Sequence, residues 1–228
     1  MGELRIPIFP LPEVVFFPET VLPLHVFESR YRQMVADCLA GDRWLGIVML
    51  RAGWEKDYQG RPPVHAVAGA GEVIQAEALA DGRYNILLDG RARVQILAEE
   101  PTDGRLYRVV RAERIEDRGP SPNDRTFPGR LQELRAAHAR LLMALGQSHA
   151  DVVGRLTVAG ASPGAVIDRI VSAVVPDAEV RQRLLEAVDV SERLDLALGA
   201  LGELLTMVAG REGEGEEEEE EEEEPDDA

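Results

Sequence analysis

Hydrophobic and polar positions change period once along the chain. From Ile6 to about Glu116 the apolar residues fall in short, β-branched runs broken by Pro and Gly, as strands require. From about Arg130 they recur every three or four residues, as helices require. The first half predicts strands over 44–50, 64–68, 72–78, 84–88, 93–98 and 107–114. Asp89-Gly90 predicts a hairpin turn between two of them, because Gly takes positive φ at little cost. Gly69 and Gly71 mark a bulge or bend in a curved sheet. The run Arg5 to Pro12 holds three prolines that cannot donate ladder hydrogen bonds, so it is expected at a sheet edge or in extended loops.

One helix interrupts the strands. It starts at Glu28 and Ser29, buries Tyr31, Met34, Val35, Cys38 and Leu39 on one stripe, and ends at Gly41 in a left-handed conformation. The polar stretch 52–63, with Trp54 and Tyr58, reads as a long exposed loop in which the aromatics pack on the sheet. Three prolines and two glycines in 117–129 mark a boundary. The expected organisation is therefore a β-rich part over 1–117, a linker over 118–129 and a helical part over 130–210. In the last of these, Ser162 before Pro163 caps one helix, Pro176-Asp177 starts another, and Ser191 caps the last. Leu194, Leu198, Leu201, Leu205 and Val208 form a seam that suits a coiled-coil homodimer or packing within the helical part. Its length of about two heptads favours the latter.

Charge matters once it is divided. Of 42 acidic residues in the 228, 13 lie in the stretch 212–227, which leaves the body with 29 acids against 25 bases. A net charge near −4 gives phosphate backbones no electrostatic footprint, so nucleic acid is not an expected partner. Consecutive carboxylates repel and bury nothing, so the tract 211–228 is expected to be disordered. No apolar run reaches membrane-spanning length and the start shows no secretory pattern. With one cysteine there is no internal disulfide, and a cytoplasmic home is expected.

Chemistry is limited by residue type. Lys56 is the only lysine and follows Glu55, not Gly, so a phosphate-binding loop of the Walker kind is excluded and a serine–lysine dyad has only an exposed loop to draw on. His25, His65, His138 and His149 show no metal-ligand spacing, and no cofactor or metal is expected. Cys38 reads as a small buried hydrophobe and Arg91 and Arg93 as a solvated strand face.

A longer pattern runs through 6–50: Ile-Pro-Ile-Phe-Pro-Leu-Pro, Val-Val-Phe-Phe-Pro, Leu-Pro-Leu-His-Val-Phe-Glu, Arg30-Tyr31-Arg32-Gln33-Met34 and Trp44-Leu45-Gly46-Ile47-Val48, with Asp89-Gly90-Arg91-Ala92-Arg93-Val94 beyond it. It closely resembles the Lon amino-terminal, or LON substrate-binding, domain family in its stand-alone bacterial form, over about 1–210. The resemblance implies an α+β fold: a PUA-like curved sheet or pseudo-barrel, then an α-helical bundle. It implies a non-catalytic module without the family's ATPase and protease parts, an adaptor or chaperone-like factor in protein quality control. Its expected partners are unfolded or tagged polypeptides, with a protease or chaperone beside it. Phe16, Phe17, His25, Phe27, Glu28, Arg30 and Arg32 are the expected contact residues. An RNA-binding PUA-like module and a small-molecule binder are the alternatives, distinguished by salt-sensitive RNA binding and by a deep polar pocket.

Overall fold

A computed structural model describes residues 2–146 and 160–222, with side chains described to Gly210. Six strands come first, with one helix among them: β1 (Leu4–Leu11), β2 (Val21–Val26), α1 (Ser29–Ala40), β3 (Trp44–Met49), β4 (Val67–Ala78), β5 (Tyr84–Glu99) and β6 (Arg108–Ile115). Then follow α2 (Phe127–Ala144), α3 (Pro163–Val174), α4 (Ala178–Glu186) and α5 (Val190–Glu222). The strands lie in the order β2-β5-β4-β3-β1-β6, and β5 also pairs with β6. The sheet therefore closes on itself through five strands, and β2 is left as an addition to the first half of β5.

Alternation along the strands builds two cores. Ile6, Ile8, Val48, Ala70, Val94 and Val110 point into the barrel, where small residues such as Ala68, Ala92 and Ala112 keep it narrow. Phe9, Leu45, Ile47, Ile86 and Leu88 point the other way and pack on Tyr31, Met34, Val35 and Cys38 of α1, with the Phe9 and Tyr31 rings 4.1 Å apart. A third core gathers the later helices around Leu134, Ile167, Leu184, Leu194 and Leu201, and it includes Phe17 and Val67 from the β-rich half. The leucine seam of α5 is thus spent inside the chain.

Several expectations fail for identifiable reasons. Asp89-Gly90 is no hairpin: both sit within β5, which joins two expected strands into one. Gly90 is there for space, because a Cβ would lie 2.1 Å from the Phe17 carbonyl oxygen. Gly69 and Gly71 do lie beside irregular pairing, with register shifts at Ala70/Gly71 and Val73/Gln75, and β4 likewise joins two expected strands. β1 lies between β3 and β6 and not at an edge. Its prolines fit because the β6 pairing covers Leu4 to Ile8 and the β3 pairing Ile8 to Leu11, so Pro7 and Pro10 each face one partner. Gly41 ends α1 at φ −111°, and Arg43 takes the positive φ of 64°, its Nε donating to the Val73 carbonyl.

Ser162 and Asp177 cap α3 and α4 as expected, accepting from the backbone N–H of Ala165 and Val180. At α5 the cap is Asp189, not Ser191, and its carboxylate accepts from Ser191 N–H at 2.9 Å. His149 lies outside the described residues. Helix α5 is continuous to Glu222, across part of the tract expected to be disordered; residues 223–228 lie outside the described residues.

Arg93 is the largest departure. It is 3% exposed where a solvated face was expected, while Arg91 is exposed and pairs with Asp89 at 2.7 Å. From β5, Arg93 reaches Asp168 of α3 at 2.6 Å, Asp117 at 3.3 Å and the Leu185 carbonyl at 3.0 Å. Arg193 of α5, fully buried, binds the same two carboxylates and the Ala187 carbonyl. Burial pushes the Asp168 carboxyl up while both guanidiniums pull it down. Burial lowers Arg193, but Asp117 and Asp168 outweigh it and hold its pKa above the ordinary value.

Two stability predictions follow from these contacts. In urea unfolding, Gly90→Ala is expected to cost about 2–3 kcal/mol by overpacking against a backbone carbonyl. Gly119→Ala, where nothing lies within 4 Å, is expected to be near neutral; equal effects would refute the steric reading. Arg93→Met alone is expected to cost about 3–5 kcal/mol by leaving buried carboxylate charge uncompensated, and pairing it with Asp168→Leu should recover most of that loss.

Candidate functional site

The expected contact residues divide into two groups. Phe16 and Phe17 are 2% and 0% exposed; the first packs in the α1 core and the second in the helical core, so neither presents a surface. His25, Phe27, Glu28, Arg30 and Arg32 come together where β2 runs into α1.

This junction is held by a polar lock. Glu28 accepts from the Tyr58 hydroxyl at 2.8 Å and from Arg30 Nε at 3.0 Å. The Arg30 guanidinium lies 4.6 Å from the Tyr31 ring centroid and 4.9 Å from that of Tyr58, and donates to the Tyr58 carbonyl. Burial pushes the Tyr31 hydroxyl up to about 12; burial, then the Glu28 hydrogen bond and charge, raises Tyr58. Both therefore stay protonated at neutral pH, and Tyr58 serves as a donor. The loop carrying Trp54 and Tyr58 is thereby tied to the start of α1, with the two rings edge to face at 5.3 Å. Arg32, one turn further, lies against the β4–β5 turn at Gly82, where its Nη2 occupies the space beside the glycine. Glu28 and Arg30 thus hold the loop against α1, and Arg32 packs on the β4–β5 turn.

Beside them lies a sheet face that mixes apolar and polar side chains. Along β2, Leu22, Leu24 and Val26 turn inward, while Val21, Pro23 and His25 turn outward. Register sets Asp89, Leu87 and Asn85 of β5 opposite the outward three, and Gln75 and Glu77 of β4 beyond them, with Ile74 inserted at the bulge. Val21 is 55%, Phe27 62% and Ile74 46% exposed. His25 and Phe27 stack with centroids 6.3 Å apart. The His25 ring lies 2.8 Å from Asn85 Oδ1 through Nδ1 and 3.2 Å from Arg83 Nη1 through Nε2, which suits the tautomer that donates from Nδ1 and accepts at Nε2. Asn85 then donates to Glu77, completing a polar row across three strands.

Among the described residues β2 pairs only with β5, so its far side is a free edge. Such a face and edge can hold an extended apolar chain, with backbone groups for the edge and Phe27, Val21 and Ile74 for its side chains. Sequence reading missed Val21 and Ile74; the strict alternation in Val21 to Val26, apolar on both faces, was the available signal for the first.

Cys38 is no part of this surface. Its thiol donates to the Trp44 carbonyl at 3.3 Å, and burial, then Asp42 and Asp37, pushes its pKa up to about 12. At pH 8 about 1 in 10⁴ molecules would carry the thiolate. Labelling by a disulfide reagent is expected to be negligible in the native state and to appear only as denaturant unfolds the chain; fast native labelling would refute the buried assignment.

The comparisons agree with this architecture. The model of the ATP-dependent protease La (LON) substrate-binding domain matches residues 5–203. Lon protease 2 of Myxococcus xanthus is 27% identical over 201 residues, covering 86% of this chain and 23% of that protein. The Lon protease of Xanthomonas oryzae pv. oryzae is 29% identical over 210 residues, covering 88% of this chain and 23% of its own length. The chain thus spans under a quarter of these relatives. Among solved structures, the N-terminal domain of the Mycobacterium avium complex Lon protease superposes with a TM-score of 0.62 at 21% identity, covering 87% of this chain and 98% of that one. The Lon N-terminal domain protein of Xanthomonas campestris gives 0.58 at 22%, covering 86% and 98%.

Proposed function

The chain belongs to the ATP-dependent protease La (LON) substrate-binding domain family, and on that premise we propose that it is a non-catalytic polypeptide-recognition module. Its contact surface is the outer face and free edge of β2 with Phe27. The observation that carries this reading is the exposure of Val21 and Phe27 at the two ends of β2, whose outer edge is unpaired among the described residues, with Ile74 exposed two strands away at the β4 bulge. A monomeric surface has no use of its own for such exposure, whereas an unfolded client offers both apolar side chains and unpaired backbone.

The same reading supports an adaptor or chaperone-like role in cytoplasmic protein quality control, acting beside a protease or chaperone on unfolded or tagged chains. Among the described residues no helix is long and apolar enough to cross a membrane. The body's small negative charge favours polypeptide over RNA as the occupant.

The test is fluorescence anisotropy with a labelled, permanently unfolded protein such as reduced and alkylated α-lactalbumin. Val21→Glu with Phe27→Ala is expected to weaken binding about tenfold or more, with the thermal midpoint unchanged because both side chains are exposed. Arg30→Ala, which opens the lock, is expected to weaken it less. Undiminished binding by the double variant would refute the placement.

A further inference from the structure

On the helical half, away from β2, α4 and α5 leave a groove of about 580 Å³ between them. Val180 and Leu184 of α4 and Leu196 and Ala200 of α5 line it with apolar surface, and Leu196 is 37% exposed. Its charged margin is uneven. The α5 wall carries Glu192, Asp195 and Glu203, whereas the α4 wall carries Arg183. Asp195 is already held by Arg130 of α2. The carboxylates of Glu192 and Glu203 have no ion-pair partner among the described residues and flank Leu196 and Gly199 on the α5 wall, and with Arg183 opposite the groove keeps a net negative charge.

Gly199 keeps the groove open. A Cβ there would meet nothing within 4 Å, so no neighbour within the chain requires glycine at this point, although glycine weakens a helix interior. The distance from Glu192 to Glu203 along α5 is about 16 Å, three helical turns. These dimensions suit a helix lying along α5, apolar side inward.

We propose that this groove docks a cationic amphipathic helix of a partner protein, its apolar strip on Leu196 and Val180 and its Lys or Arg side chains beside Glu192 and Glu203. The chain's own acidic tract has the wrong sign for this wall and is not the occupant. The site is separate from the β2 face and stands or falls independently of it.

The probe is a labelled synthetic helix of about four turns, leucines at i, i+3, i+4 and i+7 flanked by lysines, with a companion in which glutamate replaces lysine. Anisotropy with the full chain is expected to show saturable binding of the lysine peptide alone. Gly199→Met puts a side chain into the groove from a position where a Cβ meets nothing within 4 Å, and is expected to weaken binding about tenfold while the thermal midpoint holds or rises. Glu192→Lys with Glu203→Lys is expected to reverse the preference between the two peptides. Val21→Glu with Phe27→Ala should leave this binding unchanged, so loss at one surface is distinguishable from loss at the other. The proposal is overturned if Gly199→Met has no effect on affinity or if binding vanishes when residues 212–228 are removed. Self-association of the chain that Gly199→Met abolishes would also overturn it, since a second copy would then be the occupant.

Discussion

Arg93 and Arg193 enclose the Asp168 carboxylate at the place where the barrel meets the helices, and Asp117 closes the group into two cations and two anions. Each member comes from a different part of the chain: β5, the segment after β6, α3 and α5. Desolvating Arg93, Arg193 and Asp168 is costly, and the arrangement is tolerable because the partly exposed Asp117 completes the charge balance and because the guanidiniums also bind the Leu185 and Ala187 carbonyls. Geometry here is demanding, since a Cβ at Gly164 would collide with Asp117. The group therefore fixes the orientation of the helices on the barrel in a way that apolar contact through Phe17 and Val67 alone would not.

With that joint set, the rest of the β-rich half has one surplus element. Five strands close the barrel, and β2 can only attach to the part of β5 that extends beyond it. Its inward side chains are covered by α1, but among the described residues nothing covers the outward ones. The lock of Glu28, Arg30 and Tyr58 holds the end of this strand and the start of α1 rigid, so that an exposed Phe27 is presented and not collapsed onto the sheet. Closure of the barrel thus leaves β2 with a free edge among the described residues, and the lock fixes the strand end from which the proposed contact surface starts.

The helical half shows the complementary economy. Of the leucines at four and three spacing on α5, Leu194 and Leu201 are buried and Leu198 and Leu205 partly buried in the helical core, which leaves another side of the helix, with Leu196, Gly199 and Glu203, facing the groove beside α4. A helix that packs on one stripe always leaves another, and here that stripe carries apolar surface between carboxylates.

By itself the sequence determined the change of period from strand to helix, the α1 stripe with Cys38 inside it, the caps at Ser162 and Asp177, and the family pattern over 6–50, since each is written in local spacing and residue type. Only the tertiary structure decided the rest. Asp89-Gly90 has the composition of a turn, but Phe17's carbonyl claims the space over Gly90 and the strand continues through it, with a bulge at Arg91. Arg93 alternates like a surface residue, and its burial depends on carboxylates 24 and 75 positions away. Pro7 and Pro10 look like edge residues until two staggered pairings meet at Ile8. Phe16, Phe17 and Phe27 are alike in a one-dimensional reading, yet two fill cores and one faces solvent, because which aromatic is covered is set by elements far along the chain that pack on it.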